Sequence, residues 1–359
     1  MSRSPASSFL SRIQWGSEAC RLTRLALVLL LVGPIVLTGA ACAGSQEGPT
    51  SNQGQAAPDL HRPKPYVHAT APPQGSAYDW ARLEQDAADW PPGDRSGSVW
   101  KDLDRSALRL NSASALIMDS RGNQLYAKNP RQVKSIASIT KLMTAMVVLD
   151  TGVSLNTPIR IVEQDRDRLK NSRSRLRIGD ATLSRQDMIM VAVMSSDNRA
   201  AHALGRTTYR GGMPEFVQAM NRKAQALGMN NTRFVDSSGL DPRNRSTAED
   251  LVKMVRAASN YSLIRATTER GEMTLNPHSD HVPLHYRNTN PLVRSPEWAV
   301  DVSKTGFINE AGRCLVMQAR IDNQPLYMVF LDSNGKLSTV GDSNRVRDWI
   351  MASHRTASR

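Results

Sequence analysis

The chain has 359 residues, of which 40% are apolar, 5% aromatic and 22% charged, and its formal net charge is +13. That length accommodates two average domains or one large one, and the near-average composition without internal periodicity excludes a repeat protein or a coiled coil. The basic surplus favours contact with anionic polymers or an anionic membrane surface, but Lys and Arg are spread along the chain with no zinc-finger spacing or RNA-binding aromatic signature, so nucleic acid is not an expected partner.

Arg3, Arg12, Arg21 and Arg24 precede the run "LALVLLLVGPIVLTGAACA". A positive flank, an apolar stretch and small residues at its end compose an export signal. Ala41 and Ala43 fit cleavage after residue 43, and the run is long enough to span a bilayer if retained. Residues 1–43 therefore read as a signal peptide or signal anchor, and the protein is expected in the periplasm or at the outer face of the cytoplasmic membrane. Gly39 stands three positions before Cys42, where a lipoprotein signal carries a larger aliphatic residue. Residues 44–98 are rich in Pro, Gly and Ser and read as a flexible linker, with one short helix at "YDWARLEQDAADW". The folded unit is expected over 99–355. Of three cysteines only Cys314 lies beyond residue 43, so no disulfide framework is expected; in "RCLVMQA" it reads as a buried, inert thiol on a strand.

Within 99–355, "SASALIMDSRGNQLYAKNP" gives a hairpin about Gly122-Asn123. In "SIASITKLMTAMVVLD", residues 135–150, apolar positions recur at helical spacing, and Thr151-Gly152 ends the helix. Two helical stretches follow, interrupted by the polar "SSDN", the first capped by Ser184 with Asp187. "MPEFVQAMNRKAQALGM" is a helix closed by Gly228, and "STAEDLVKMVRAASN" another that begins with capping residues, Glu249 serving as the N3-type partner. "WAVDVSKTG", "RCLVMQARI" and "QPLYMVFLDS" are strands, and a helix at "STVGDSNRVRDWIMA" closes the unit. Strands first and last with helices between them predict an α+β fold: an antiparallel sheet, its edge joining both ends of the domain, packed against helices with a helical lobe.

Three short constellations bear on chemistry. Ser138 and Lys141 lie three residues apart, about one helical turn. A serine hydroxyl is a weak nucleophile until a base takes its proton, and a lysine serves as that base only if burial or nearby charge lowers its pKa. The N–H groups of a helix start also favour the negative charge that develops at an attacked carbonyl. Ser196-Asp197-Asn198 breaks an otherwise apolar helical region; Ser196 could relay a proton and Asn198 hold a substrate amide. Lys304-Thr305-Gly306 stands late in a strand, where a lysine and a hydroxyl make a carboxylate clamp and Gly306 admits a ligand backbone. The backbone N–H of Phe307 pairs with that of Ser138 as a second oxyanion donor. Each constellation alone also fits an ordinary cap, junction or strand end.

Together, S-x-x-K, S-D-N and K-T-G in this order resemble penicillin-binding proteins and class A β-lactamases. The likeness to the low-molecular-weight penicillin-binding D-alanyl-D-alanine carboxypeptidase/endopeptidase family runs from about Ala113 through Asp332, including "RLKNSRSRLRIGD", "FVDSSGLDPRNRSTAEDL" and "SKTGFINEAGRC". The resemblance implies a β-lactamase/transpeptidase-like fold and a serine D,D-peptidase acting on peptidoglycan peptides without metal or cofactor, with β-lactam antibiotics as covalent inhibitors. Ser138, Lys141 and Ser196 would be catalytic, Asn198, Lys304, Thr305 and Gly306 would bind substrate, and Ser138 and Phe307 would form the oxyanion hole. Asp197, where many carboxypeptidases carry Gly, and the short C-terminal region resemble the endopeptidase branch, which cleaves D-Ala to diaminoacyl cross-links; removal of terminal D-Ala is the alternative, and a β-lactamase or a non-catalytic wall-binding protein on the same fold are further ones. "KNSRSRLR" reads as a solvated loop. The +10 left beyond residue 43 suits association with an anionic wall or membrane surface.

Overall fold

The computed structural model describes residue 100 and residues 102–357. The export signal, the linker and its short helix lie outside the described residues.

The hairpin forms from β1 (Ser114–Asp119) and β2 (Gln124–Lys128). Asp119 holds its turn by accepting from the backbone N–H groups of Arg121 and Asn123, and Gly122 supplies the left-handed backbone at φ 85°. After β3 (Lys134–Ser135) comes a 3-10 turn over Ala137–Ile139, which runs directly into helix α1 (Thr140–Asp150). A small hairpin, β4 (Pro158–Arg160) with β5 (Thr182–Ser184), brackets the polar segment 161–181. Helices α2 (Arg185–Met194) and α3 (Asn198–Thr208) are separated by Ser195, Ser196 and Asp197. Then follow α4 (Gly212–Ala226), β6 (Arg245–Ser246), α5 (Ala248–Ala258) and the short α6 (Ser262–Thr268). A second small hairpin, β7 (Glu272–Leu275) with β8 (Leu284–Arg287), leads to β9 (Ala299–Ile308), β10 (Gly312–Ile321), β11 (Gln324–Ser333) and the closing helix α7 (Ser338–Ala357).

The main sheet has five antiparallel strands in the order β2-β1-β11-β10-β9. Its strands read as nearly continuous apolar runs because both faces are covered. Leu116, Val302, Val316 and Val329 point into a core shared with α1 and α5, whereas Ile117, Leu315, Met317 and Phe330 point into a second core with Val346 and Ile350 of α7. This is the two-residue alternation of a strand applied to two apolar layers. Helices α1 and α2 are apolar nearly all round and buried along most of their length, as interior helices must be. The observed fold is α+β, with the antiparallel sheet between helices as the sequence indicates.

Two expectations need correction. The two ends of the domain meet at the centre of the sheet, where β1 pairs β11, and the edges are β2 and β9. The α5 cap is Thr247, whose hydroxyl accepts from Asp250 N, so Asp250 occupies N3; Glu249 instead pairs with Arg131 at 3.0 Å. The two small hairpins and α6 were not predicted, because each is too short to develop a period.

Candidate active site

Ser138 sits in the 3-10 turn ahead of α1, not on the α-helix itself. Ala137 before it has φ 47°, an uncommon conformation for a residue with a side chain. Two glycines explain how this turn is held. A Cβ on Gly239 would lie 1.9 Å from the Ala137 carbonyl oxygen, and one on Gly306 would lie 2.9 Å from Ile136 O and 3.2 Å from Ser138 N. The 236–244 loop and the edge strand β9 therefore press on the serine turn from two directions at backbone distance.

Lys141 comes next, on the first turn of α1, with a side chain wholly removed from solvent. Its ammonium donates to Ser138 Oγ at 2.8 Å, Asn198 Oδ1 at 2.7 Å and Ser238 O at 2.6 Å. Burial lowers its pKa to about 8, against the raising influence of Asp236, Asp197 and Asp167. Lys141 is therefore an interior lysine and not a surface one. Lys304 on β9 is equally buried, donates to Thr305 O at 2.9 Å, and is held well below the usual lysine range, first by burial and then by the charge of Lys141. The Thr305 hydroxyl donates to that of Thr289 at 2.6 Å, and Gly306 abuts the Ser138 turn. Phe307 follows with a half-exposed ring stacked 4.1 Å from the Arg313 guanidinium.

The second constellation supplies the opposite wall. Ser196 links α2 to α3 at φ 62° and makes no side-chain hydrogen bond among the described residues. Asp197 caps α3: its Oδ1 accepts from Ala200 N at 3.0 Å, while Oδ2 accepts from Ser174 Oγ at 2.7 Å. Burial raises its carboxyl pKa against those bonds. Asn198 donates to Ser172 Oγ at 2.8 Å while accepting from Lys141. Both serines belong to "KNSRSRLR", so that segment is not simply a solvated loop: it is fastened to the S-D-N triplet.

The structure thus brings Ser138, Lys141 and Asn198 into one hydrogen-bonded chain and sets Gly306 against it. It links Ser196 and Phe307 to that chain by no side-chain hydrogen bond among the described residues. Sequence reasoning missed Ser172, Ser174, Ser238 and Thr289. For Ser238 the available signal was "VDSSGLD", an Asx-type turn: Asp236 accepts from the N–H groups of Ser238, Gly239 and Asp241, which turns the Ser238 carbonyl onto Lys141. Cys314 is buried, its thiol pushed up to about 12 by burial, as an inert core residue should be. Among the described residues no cluster of three His, Cys, Asp or Glu side chains is arranged to hold a metal ion.

One consequence concerns Asp197. Replacing it by Gly removes both the α3 cap and the anchor for Ser174, and the expected loss of stability is about 1–3 kcal/mol. Asp197→Asn, which keeps a capping oxygen, should lose less. Urea unfolding of the two variants checks this, and an unchanged midpoint in Asp197→Gly would refute it.

The chain is similar to known proteins over most of its described residues. Residues 102–335 match the D-alanyl-D-alanine carboxypeptidase family. The chain is 44% identical over 249 residues to a D-alanyl-D-alanine endopeptidase of Pseudomonas aeruginosa, covering 69% of this chain and 80% of that protein. It is also 44% identical over 247 residues to one of Escherichia coli, covering 68% and 79%. A DD-transpeptidase from Streptomyces superposes with a TM-score of 0.63 at 25% identity, covering 68% of this chain and 98% of that one. These matches and the α+β architecture agree: the chain belongs to the D-alanyl-D-alanine carboxypeptidase family and is a serine-type D-Ala-D-Ala peptidase.

Proposed function

We propose that this serine D,D-peptidase of peptidoglycan acts chiefly as an endopeptidase, hydrolysing D-Ala to diaminoacyl cross-links through an acyl-enzyme on Ser138. The observation that carries the chemistry is the 2.8 Å bond between the wholly buried Lys141 Nζ and the partly exposed Ser138 Oγ. A lysine with a pKa near 8 is neutral often enough to take the serine proton. Ser138 Oγ then attacks the D-Ala carbonyl, and the oxyanion lies between the N–H groups of Ser138 and Phe307. The proton returns through Lys141 and Ser196 to the departing amine, the carbon–nitrogen bond breaks, and water hydrolyses the ester. Thr305, with Lys304 beneath it, receives the carboxylate carried by the leaving residue, while Asn198 and Gly306 border the acyl chain.

The endopeptidase assignment is supported by the higher identity to endopeptidases than to a Bacillus subtilis carboxypeptidase, which is 28% identical. Asp197 supports it too, because it ties the S-D-N triplet to "NSRSRLRIGD" through Ser174. A β-lactamase needs rapid deacylation, and Glu249, which follows "NRSTA", is engaged with Arg131 at 3.0 Å rather than with the residues about Ser138. The composition of residues 1–43 supports export, and the site of action outside the cytoplasmic membrane belongs to this proposal.

The test is incubation of the purified soluble protein with cross-linked and uncross-linked muropeptides, with products identified by mass. Conversion of dimers to monomers is expected, along with covalent labelling by a fluorescent penicillin that Ser138→Ala abolishes. Loss of a single alanine from pentapeptides with dimers left intact would assign the carboxypeptidase reaction instead.

A further inference from the structure

Beyond the contacts of the candidate site, an ion pair joins the S-D-N wall to the wall formed by β9 and the turn after it. Asp167 folds the segment after it: Oδ1 accepts from Leu169 N at 2.8 Å and Lys170 N at 3.0 Å, and Oδ2 from Ser172 N at 2.8 Å. Asn171 takes the left-handed backbone, φ 51°, that this fold requires. Ser172 in turn is bonded to Asn198, so the segment is registered on the S-D-N wall. From it the Lys170 ammonium reaches the turn between β9 and β10 and pairs with Glu310 at 2.5 Å. The lysine is 31% and the glutamate 42% exposed, so solvent and solutes reach both charges.

Where this pair lies relative to a bound peptide follows from β9. The strand is a sheet edge, and edge strands bind extended peptides by adding a strand. On the reading proposed above, the leaving residue's carboxylate sits at Thr305 and the attacked carbonyl beside Ser138 and Phe307. The acyl part of the substrate must then run on past Phe307 toward Ile308 and Glu310, advancing about 3.3 Å per residue. In a peptidoglycan stem the residue before the D-Ala is the diamino acid. Placed beside Ile308, its side chain is long enough to bring its far end to Glu310 and Lys170. That end carries an ammonium, and in diaminopimelate a carboxylate on the same carbon.

We propose that Lys170 and Glu310 form a subsite for the amino-carboxylate end of the donor stem's diamino acid. The substrate ammonium takes Glu310, its carboxylate takes Lys170, and the resident ion pair opens to admit them. An exposed pair of this kind opens at little cost, and the exchange leaves every charge partnered. The bonds from Asp167 and Ser172 keep Lys170 in place when the pair opens.

This inference rests on the D,D-peptidase reading, and two penicillins test the two separately. One is benzylpenicillin; the other carries an acyl side chain ending in an α-amino carboxylate, imitating the diaminopimelate end. Second-order acylation rates of Ser138 are measured for both with the full-length protein. The wild type is expected to prefer the second by roughly tenfold or more, and Glu310→Gln or Lys170→Ala to bring the ratio close to one. The charge-exchanged double variant Lys170→Glu/Glu310→Lys keeps a bridge between the walls but reverses its polarity relative to the substrate, so it too should lose the preference. Retention of the preference in the double variant, or its absence in the wild type, overturns the subsite. Failure of benzylpenicillin to acylate Ser138 at all overturns the peptidase reading instead.

Discussion

Lys141→Ala is expected to slow acylation of Ser138 by about 10²- to 10⁴-fold, the range for loss of a positioned general base. The serine stays in place in this variant, because its turn is held by Gly239 and Gly306 rather than by the lysine. Lys141→Arg should give no recovery, since a guanidinium does not surrender its proton in this pH range. The pH dependence of the native enzyme carries the same information. The ammonium form predominates below the pKa of about 8 and has no lone pair to accept the serine proton. The acylation rate should therefore rise by about tenfold per pH unit up to about 8 and level off above it. Stopped-flow acylation by benzylpenicillin measures both effects, with circular dichroism as the control for folding. A flat profile between pH 6 and 8 would remove Lys141 from the role of base.

Gly239→Ala is the second large effect. The new methyl group would stand 1.9 Å from Ala137 O and 2.8 Å from Thr140 Oγ1, on a residue whose φ is 81°. Neither neighbour can withdraw cheaply: one is backbone, and the other, the Thr140 hydroxyl, is itself bonded to Ala137 O at 2.8 Å. The expected loss is more than about 3 kcal/mol, and in whatever folded fraction remains the serine turn is displaced. A shift of about 1 Å at a nucleophile costs on the order of a hundredfold in rate. Gly179→Ala provides the reference, because Gly179 has the same φ of 81° with nothing within 4 Å of the added methyl; it isolates the backbone penalty of about 1–2 kcal/mol. Urea unfolding and penicillin labelling compare the two. Equal midpoints would show that the contact with Ala137 does not matter.

What could be read from the sequence was local. The hairpin announced itself by Gly122-Asn123, α1 by its apolar spacing, and the α2 cap by Ser184 with Asp187, whose N–H does donate to Ser184 Oγ at 3.0 Å. Ser138 and Lys141 are close in any helical or 3-10 geometry, so their contact was legible too. What escaped depends on distant backbone. Lys141 finds a third partner in Ser238 O, 97 positions along the chain, and a carbonyl oxygen leaves no trace in residue type. "KNSRSRLR" read as solvated because it is polar and basic, yet Ser172 and Ser174 are engaged by Asn198 and Asp197. Polarity alone does not say whether water or another side chain is the partner. The placement of β1 beside β11 was missed as a central pairing for the same reason: apolar strands reveal that they are buried, not which neighbour buries them.

That central pairing also bears on the order in which the enzyme comes into being. Every residue assigned to the chemistry lies between 138 and 307, so a growing chain presents all of them before its last two strands, the first of which begins at Gly312. Yet β9, which carries Lys304, is joined to the rest of the sheet only through β10 and β11, and β11 reaches back to β1 across more than two hundred residues. The α7 carboxylate of Asp342 then fastens the backbone N–H of Ser112, 230 positions earlier. Contacts of such separation form late, after the loop entropy between them has been overcome. A chain still missing its final segment therefore carries the full set of reactive groups without the frame that aligns them, and hydrolytic competence arrives with the last strand.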